Sequence, residues 1–90
     1  MSVTVRVHPF LRKFTGGQKI VEVEGKIVGE CIENLEVKFP GIKQHLCDKE
    51  GTLHNLWDIY VNSASCYPDE FEKPVKDGDE LVIVAIISGG

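Results

Sequence analysis

Apolar and polar residues alternate at the start of the chain, and this period of two predicts strands with one buried face. The apolar sides of two such strands are formed by Val3, Val5 and Val7, and by Val21 and Val23. Pro9 interrupts the first strand, because proline cannot donate to a strand ladder. The glycines of Thr15-Gly16-Gly17-Gln18 suit a turn that needs positive φ. The first third of the chain is therefore predicted to form a hairpin.

After the hairpin the apolar residues follow the period of a helix. One stripe of that helix is formed by Val28, Cys31, Ile32, Leu35 and Phe39. Its start is weakly marked, because Ile27 stands where a Ser, Thr or Asp cap would help. Pro40-Gly41 predicts its end. Residues 42–52 are expected to form a short irregular helix or a loop, anchored by Ile42 and Leu46.

Two further strands are predicted in the second half of the chain. The third strand runs from Leu56 to Val61 and is ended by Asn62-Ser63. Residues 66–76 then form a loop, with at most a brief strand or turn. A Lys76-Asp77-Gly78-Asp79 turn precedes the last strand, Leu81 to Ile86. That strand is apolar on both faces, which indicates a central position in a sheet.

The order strand, strand, helix, strand, strand indicates an α+β fold. We expect a mixed four- to five-stranded sheet packed on one main helix, which is the β-grasp or ubiquitin-like fold. The domain is expected to cover residues 1–85, followed by a flexible tail over residues 86–90.

Composition favours a binding or carrier module over an enzyme. The 90 residues, 42% of them apolar, make one domain with a modest core and little room for a deep active site. The net charge of −4 argues against a nucleic-acid partner and suits docking on a basic patch of another protein.

The cysteines and the apolar runs favour a cytoplasmic location. The cysteine count is odd and no pair is close in sequence, which does not suggest a disulfide framework. No signal peptide is visible after Met1-Ser2, and the longest apolar run, Leu81 to Ile87, is too short to cross a bilayer. We therefore expect a cytoplasmic monomer without a membrane partner.

No metal site or internal nucleophile is predicted. The spacing between the cysteines and His8, His45 and His54 is not that of a zinc site. Cys31 lies on the helix stripe and is expected in the core. Cys47 and Cys66 are expected in loops, where either thiol could be reactive, but nothing nearby would clearly lower its pKa. Trp57 is expected to be a half-buried sheet residue.

The chain closes with Gly89-Gly90, a few residues after its predicted central strand. Because glycine has no Cβ, such a tail can thread a narrow channel and leaves the terminal acyl carbon open to attack. A carboxylate must first be activated, usually as a mixed anhydride with AMP, before it forms a thioester or thiocarboxylate. Gly16-Gly17-Gln18-Lys19 lacks the spacing of a phosphate-binding loop. Activation is therefore expected from a separate ATP-using enzyme.

Several segments resemble the ubiquitin-like sulfur carriers of the ThiS/MoaD type, and most of all the CysO-type carriers of cysteine biosynthesis. The matching segments are Leu11-Arg12, Thr15 through Lys19, Leu53-His54, Ile59 through Asn62, Asp77-Gly78-Asp79 and Gly89-Gly90. The resemblance covers essentially the whole chain, and its second and fourth segments are the more specific ones. It has two departures: the proline that many relatives carry near Ala85 and Ile86 is absent, and Ser63 replaces a glycine or acidic residue.

This resemblance implies that Gly90 is the reactive residue. An E1-like enzyme would adenylate its carboxylate with ATP, and a sulfur donor would convert it to a thiocarboxylate. The sulfur would then add to an aminoacrylate on the pyridoxal phosphate of a cysteine synthase. After an acyl shift, a metalloprotease would release the cysteine. The chain itself would bind no cofactor and would be a carrier, not an enzyme.

The residues implied to thread or dock on a partner are Ile86, Ile87, Ser88 and Gly89. For the two isoleucines, completion of the last strand is an equal alternative. Other functions stay open: the small subunit of molybdopterin synthase bound to its large subunit, a thiamine-type carrier, and a modifier joined to lysines. The fourth alternative is a β-grasp interaction domain whose glycines are incidental.

Overall fold

Five strands form one mixed sheet in the order β2-β1-β5-β3-β4. The computed structural model describes residues 2–86. The strands are β1 (Val3–Arg6), β2 (Ile20–Val23), β3 (Trp57–Val61), β4 (Ala64–Ser65) and β5 (Glu80–Ala85). β5 lies in the middle, parallel to β1 and antiparallel to β3, while β2 and β4 pair antiparallel with β1 and β3. The β-grasp sheet and the central place of the last strand are confirmed.

Helices cover one face of this sheet. They are α1 (Val28–Lys38) and α2 (Ile42–Leu46), with a first 3₁₀ helix at Pro9–Phe14 and a second at Glu70–Glu72. The buried positions of α1 are Val28, Cys31, Ile32 and Leu35. They belong to one hydrophobic core with the inward side chains of the strands, among them Val5, Ile59, Leu81 and Ile83. Cys31 is fully buried, as predicted.

None of the helices among residues 2–86 is long and apolar enough to cross a membrane.

The start of α1 has no side-chain cap, which confirms the weak signal at Ile27. The backbone N–H of Val28 instead donates to the carbonyl of Lys73 at 2.9 Å. The N–H of Lys26 donates to the carboxylate of Glu30 at 2.7 Å. The carbonyl of Lys73, in the segment before β5, therefore accepts an N–H at the helix N-terminus that would otherwise lack a partner.

Residues 42–52 begin as the short helix α2, held to α1 by Glu36. The Glu36 carboxylate accepts the N–H groups of Gly41 and Lys43 at 3.0 and 2.9 Å. These two bonds lower the pKa of Glu36 below its usual value, and the bond from Gly41 makes the larger contribution. Gly41 has a φ of +102°, a conformation that disfavours residues with a Cβ.

β3 ends at Val61, immediately before Asn62-Ser63, as predicted. Asn62 and Ser63 have φ values of +50° and +74°, so they also reverse the direction of the chain. The strand β4, which was not predicted, then pairs with β3 through Val61 and Ala64. Positive φ at two successive residues is the geometry of a two-residue hairpin turn.

Three boundaries and one burial prediction are also corrected. β3 begins at Trp57 and not at Leu56, and β5 covers Glu80–Ala85, so that Ile86 follows the strand. The prediction of a half-buried Trp57 was wrong, because its side chain is only 8% exposed. Its indole N–H donates to the carbonyl of His45 at 2.9 Å, which satisfies the polar atom of the buried ring.

The outer edge of β2 is covered by side chains of α1. Lys38 Nζ donates to the carbonyl of Glu22 at 2.6 Å. Asn34 Nδ2 donates to the carbonyl of Glu24 at 2.7 Å. Two carbonyls at an edge that has no neighbouring strand in the sheet therefore already have donors.

Candidate functional site

The chain leaves the sheet at the end of its central strand. Ala85 pairs with Trp57 in the register of β5 and β3. The next N–H, that of Ile86, donates to the carbonyl of Leu56 at 2.7 Å. Ile86 is therefore held at the sheet, but its side chain is half exposed. The other expected site residues, Ile87, Ser88, Gly89 and Gly90, lie outside the described residues.

Two of the motifs meet at the opposite end of β5. Asn62 Nδ2 donates to the carboxylate of Asp79 at 2.9 Å, and Asn62 Oδ1 accepts the N–H of Glu80 at 2.9 Å. The other carboxylate oxygen of Asp79 accepts the N–H of Lys76 at 2.9 Å. The hydrogen bond from Asn62 makes the largest contribution to lowering the pKa of the buried Asp79, and the bond from Lys76 makes the next largest. We call the pair of side chains Asn62 and Asp79 the Asn62–Asp79 clamp.

The backbone around Asp79 also ties β1 to the start of β5. The N–H of Thr4 donates to the carbonyl of Asp79 at 3.0 Å, and the N–H of Gly78 donates to the carbonyl of Ser2 at 2.9 Å. The Ile59–Asn62 and Asp77–Asp79 segments therefore fix the register of the strand that carries the tail. Their contacts among residues 2–86 are structural.

The Thr15–Lys19 segment is likewise a structural turn. The buried hydroxyl of Thr15 lies 3.2 Å from the carbonyl of Arg12 and 2.9 Å from that of Gln18, and donates to one of them at a time. Gly16 and Gly17 have φ values of +64° and +86°. The turn closes the first 3₁₀ helix and returns the chain to β2.

Apolar side chains surround the point where the chain leaves the sheet. Phe10, Leu56 and Ile86 are 62%, 57% and 50% exposed, and we call them the exit patch. The backbones of Leu56 and Ile86 are hydrogen-bonded to each other. Phe10 lies beside His8, whose Nδ1 accepts the N–H of Phe10 at 3.1 Å and whose ring lies 5.4 Å from that of Trp57, the residue that follows Leu56. Large exposed apolar side chains that lie close together mark a surface that contacts another molecule.

The face of the sheet away from α1 continues this surface. Its outward residues follow the register: Arg6 stands opposite both Ile20 and Val82, and Tyr60 stands opposite Val82 on the other side. Val82 and Val84 are half-buried on this face of β5.

A shallow groove of about 330 Å³ crosses this face. Its apolar lining includes Pro9, Ile20, Val82 and Val84, and its cationic lining is Arg6, Arg12 and Lys19. We call it the open-face groove. The sequence did not predict it, because its residues come from three separate segments. One signal was available: residues 6–19 hold four cationic and no acidic side chains.

The three thiols are poor nucleophiles in this fold. Burial raises the pKa of Cys31 to about 11, with a further contribution from Glu30. Burial also raises the pKa of Cys47 and of Cys66. Among residues 2–86, no group of three or more histidine, cysteine or acidic side chains could hold a metal ion.

Known proteins of the same shape and sequence type exist. The "sulfur carrier protein CysO" of Mycobacterium tuberculosis is 37% identical over 93 residues, which cover 100% of both proteins. The crystal structure of M. tuberculosis CysO matches with a TM-score of 0.89 at 35% identity, over 94% of this chain and 99% of that one. A chain in the crystal structure of the Amycolatopsis orientalis BexX/CysO complex matches with a TM-score of 0.89 at 40% identity, over 98% and 99%. The ThiS family model matches residues 5–90. The chain therefore belongs to the ThiS family.

Proposed function

We propose that this protein is a sulfur carrier that holds sulfide as a thiocarboxylate on Gly90 and delivers it for cysteine biosynthesis. The observation that carries the proposal is the full-length similarity to the sulfur carrier CysO, at 37% identity, with the family match extending to residue 90. The similarity therefore includes the segment on which the chemistry depends.

The fold supports this function by what it places before the tail. β5 is held by β1 on one side and β3 on the other, and the Asn62–Asp79 clamp fixes its far end. The bond from the N–H of Ile86 to Leu56 fixes the near end. The four residues that follow therefore begin from a well-defined position beside the exit patch.

Each chemical step that we propose belongs to a partner enzyme. An oxygen of the Gly90 carboxylate attacks the α-phosphorus of ATP on an E1-like enzyme, and pyrophosphate leaves. A sulfide donor then displaces AMP from the acyl carbon and forms the thiocarboxylate. The raised thiol pKa values of Cys31, Cys47 and Cys66 support a passive role for the carrier's own sulfur atoms.

Delivery requires a second enzyme, which we propose to be a pyridoxal-phosphate cysteine synthase. The thiocarboxylate sulfur adds to an aminoacrylate there, and the acyl group moves from sulfur to nitrogen. Cysteine is then joined to Gly90 by an amide bond, which a metalloprotease hydrolyses with water to restore the carboxylate. The solved complex of a related CysO with BexX supports docking of such a carrier on a partner protein.

The test is the mass of the C-terminal peptide of the protein isolated from its own cells. The native protein is first treated with an alkylating agent at neutral pH. A thiocarboxylate is ionised there and reacts, while the thiols with raised pKa react slowly. Fragmentation of this peptide then shows whether the added mass lies on Gly90. A variant lacking Gly90 is the control and should give no alkylated C-terminal peptide.

Each outcome points to one function. A thiocarboxylate on Gly90, or a cysteine joined beyond it, supports the proposal, and the cysteine adduct identifies the pathway. An unmodified Gly90 with Gly-Gly remnants on lysines of other proteins would replace it by the modifier function. A stable complex with a molybdopterin synthase large subunit, and none with a cysteine synthase, would favour the molybdopterin pathway.

A further inference from the structure

Positive charge is concentrated in one part of an acidic chain. The whole sequence has 10 cationic and 14 acidic side chains, yet residues 6–19 have four cations and no carboxylate. Three of these cations, Arg6, Arg12 and Lys19, line the open-face groove. The charged side chains that line this groove are therefore opposite in sign to the net charge of the molecule.

The contacts within the groove show which of these cations are available to a partner. Arg6 forms an ion pair with Glu80 at 2.7 Å, so its charge is balanced inside the fold. Arg12 Nε donates to the carbonyl of Val7 at 3.1 Å, which holds its guanidinium at the rim. Lys19 is exposed. Asp58 stands beside Val84 on the same face, but its carboxylate accepts the hydroxyl of Ser65 and the N–H of Ile59.

The groove joins these cations to the exit of the tail. Val84 lines it two residues before Ile86 of the exit patch. Its volume of about 330 Å³ lies at the lower end of the range for ligand pockets, which suits one or two apolar side chains. A partner that holds the tail is therefore also in reach of the groove.

We infer that the enzyme that activates the tail docks on this face with an acidic segment. An apolar side chain of that segment enters the groove over Val82 and Val84, and carboxylates beside it face Arg12 and Lys19. This inference rests on the proposed function, and adds to it the chemistry of the partner surface. Charges at the rim of an interface act mostly on the rate of association and on its dependence on salt.

The test uses ATP–pyrophosphate exchange with the purified E1-like adenylating enzyme of the same organism. The variant is Lys19→Glu, an exposed change that leaves the backbone bond from Val7 to the Lys19 carbonyl in place. Lys49→Glu is the matched control: it makes the same change of net charge at an exposed residue between α2 and β3 that lines neither the groove nor the exit patch. Urea unfolding of the wild type and of every variant tests whether they are equally stable.

We expect Lys19→Glu to raise KM about five- to tenfold at low salt with kcat unchanged, because attraction to the partner becomes repulsion. The effect should shrink as salt shortens the screening length, and Lys49→Glu should behave as the wild type. A second variant, Arg12→Gln, should move KM in the same direction by a smaller factor.

Three results would overturn the inference. Equal KM values for Lys19→Glu and Lys49→Glu would show that the groove is not recognised by charge, and exchange by the wild type would leave the carrier function standing. A lower KM for Lys19→Glu would show that the partner surface is basic. Absence of exchange with the wild type and this enzyme would instead contradict the proposed function, and the inference with it.

Discussion

Replacing Asn62 tests how strongly the Asn62–Asp79 clamp holds the strand that carries the tail. The side chain makes one bond to the Asp79 carboxylate and one to the N–H of Glu80, both at 2.9 Å. Its backbone also has a φ of +50°, which asparagine tolerates better than alanine. Two substitutions separate these effects. Asn62→Gly loses the side-chain bonds and gains chain entropy in the unfolded state, whereas Asn62→Ala loses the same bonds and acquires an unfavourable φ.

The magnitudes follow from the number and type of these bonds. A bond to a charged group contributes about 1.5 kcal/mol or more, and an exposed bond to a backbone N–H about 0.5 kcal/mol. We therefore expect Asn62→Gly to lower the free energy of unfolding by about 2.5 kcal/mol, of which about 0.5 kcal/mol comes from the chain entropy of glycine. Asn62→Ala should cost about 3 kcal/mol, since the left-handed φ adds at least 1 kcal/mol and only part of that is offset by the greater chain entropy of glycine. For a domain of this size, 3 kcal/mol corresponds to roughly 12–24 °C in Tm.

The assay is urea unfolding followed by the fluorescence of Trp57, the only tryptophan of the sequence and a buried one. The slopes against urea should match among the three proteins, so that the midpoints compare directly. If both variants unfold within about 0.5 kcal/mol of the wild type, the clamp does not contribute as its geometry indicates. If glycine costs more than alanine, the argument from φ is wrong.

The clamp should also have a pH signature. The bond from Asn62, and then that from Lys76, lowers the pKa of Asp79 below its ordinary value of 3.8. A lowered pKa stabilises the fold above the ordinary value, and this stabilisation is lost as pH falls through the lower native pKa. The free-energy difference between wild type and Asn62→Ala should therefore narrow from neutral pH to about pH 3. An unchanged difference would contradict the role assigned to the carboxylate.

Three further predictions use the same assays. Because the pKa of Cys31 rises from 9.0 to about 11, the native thiol should alkylate at least a hundredfold more slowly than in urea, and equal rates by peptide mapping would contradict its burial. Ser63→Gly should raise the free energy of unfolding by about 0.5–1 kcal/mol, since Ser63 has a φ of +74°; a loss would refute this. Gly29→Ala should lower the free energy of unfolding, because the new Cβ would lie 3.0 Å from the carbonyl oxygen of Phe71. Alanine at the exposed helix position Val37 is the control and should not lower it. If Gly29→Ala instead raised the free energy of unfolding by about the 1 kcal/mol expected from helix propensity, the backbone near Phe71 would have moved to make room.

Much of the fold could be predicted from the sequence, because its strands and main helix have strong apolar periods. In β1, Val3 and Val5 are buried on one face, and their alternation with polar residues is visible in the sequence. In β5, apolar residues on both faces are likewise visible in the sequence. The two-residue strand β4 could not be predicted in this way. It exists because Asn62 and Ser63 adopt positive φ, and neither residue is a glycine that would have signalled it.

Only part of the candidate site could be predicted, because part of it depends on contacts between residues that are distant in sequence. The resemblance to known carriers pointed to Gly90, which lies outside the described residues, and to motifs that are now seen as structural. The open-face groove depends on Arg12, Lys19 and Val84 meeting across strands that are far apart in sequence. A local sequence pattern cannot predict which distant residues come together. Here the parallel pairing of β1 and β5 brings these residues to one face of the sheet.

The covered edge of β2 has a consequence for how copies of this chain meet at high concentration. A bare strand edge attracts the backbone of another molecule, and such pairing is difficult to reverse and leads to aggregation. Here Lys38 and Asn34 occupy two carbonyls of that edge, and β4 offers only two residues at the other. Lasting strand-to-strand pairing is therefore disfavoured, and the contacts of this sheet are left to side chains. Such contacts dissociate readily, which suits the proposed carrier function, because that function requires the protein to leave one enzyme before it reaches the next.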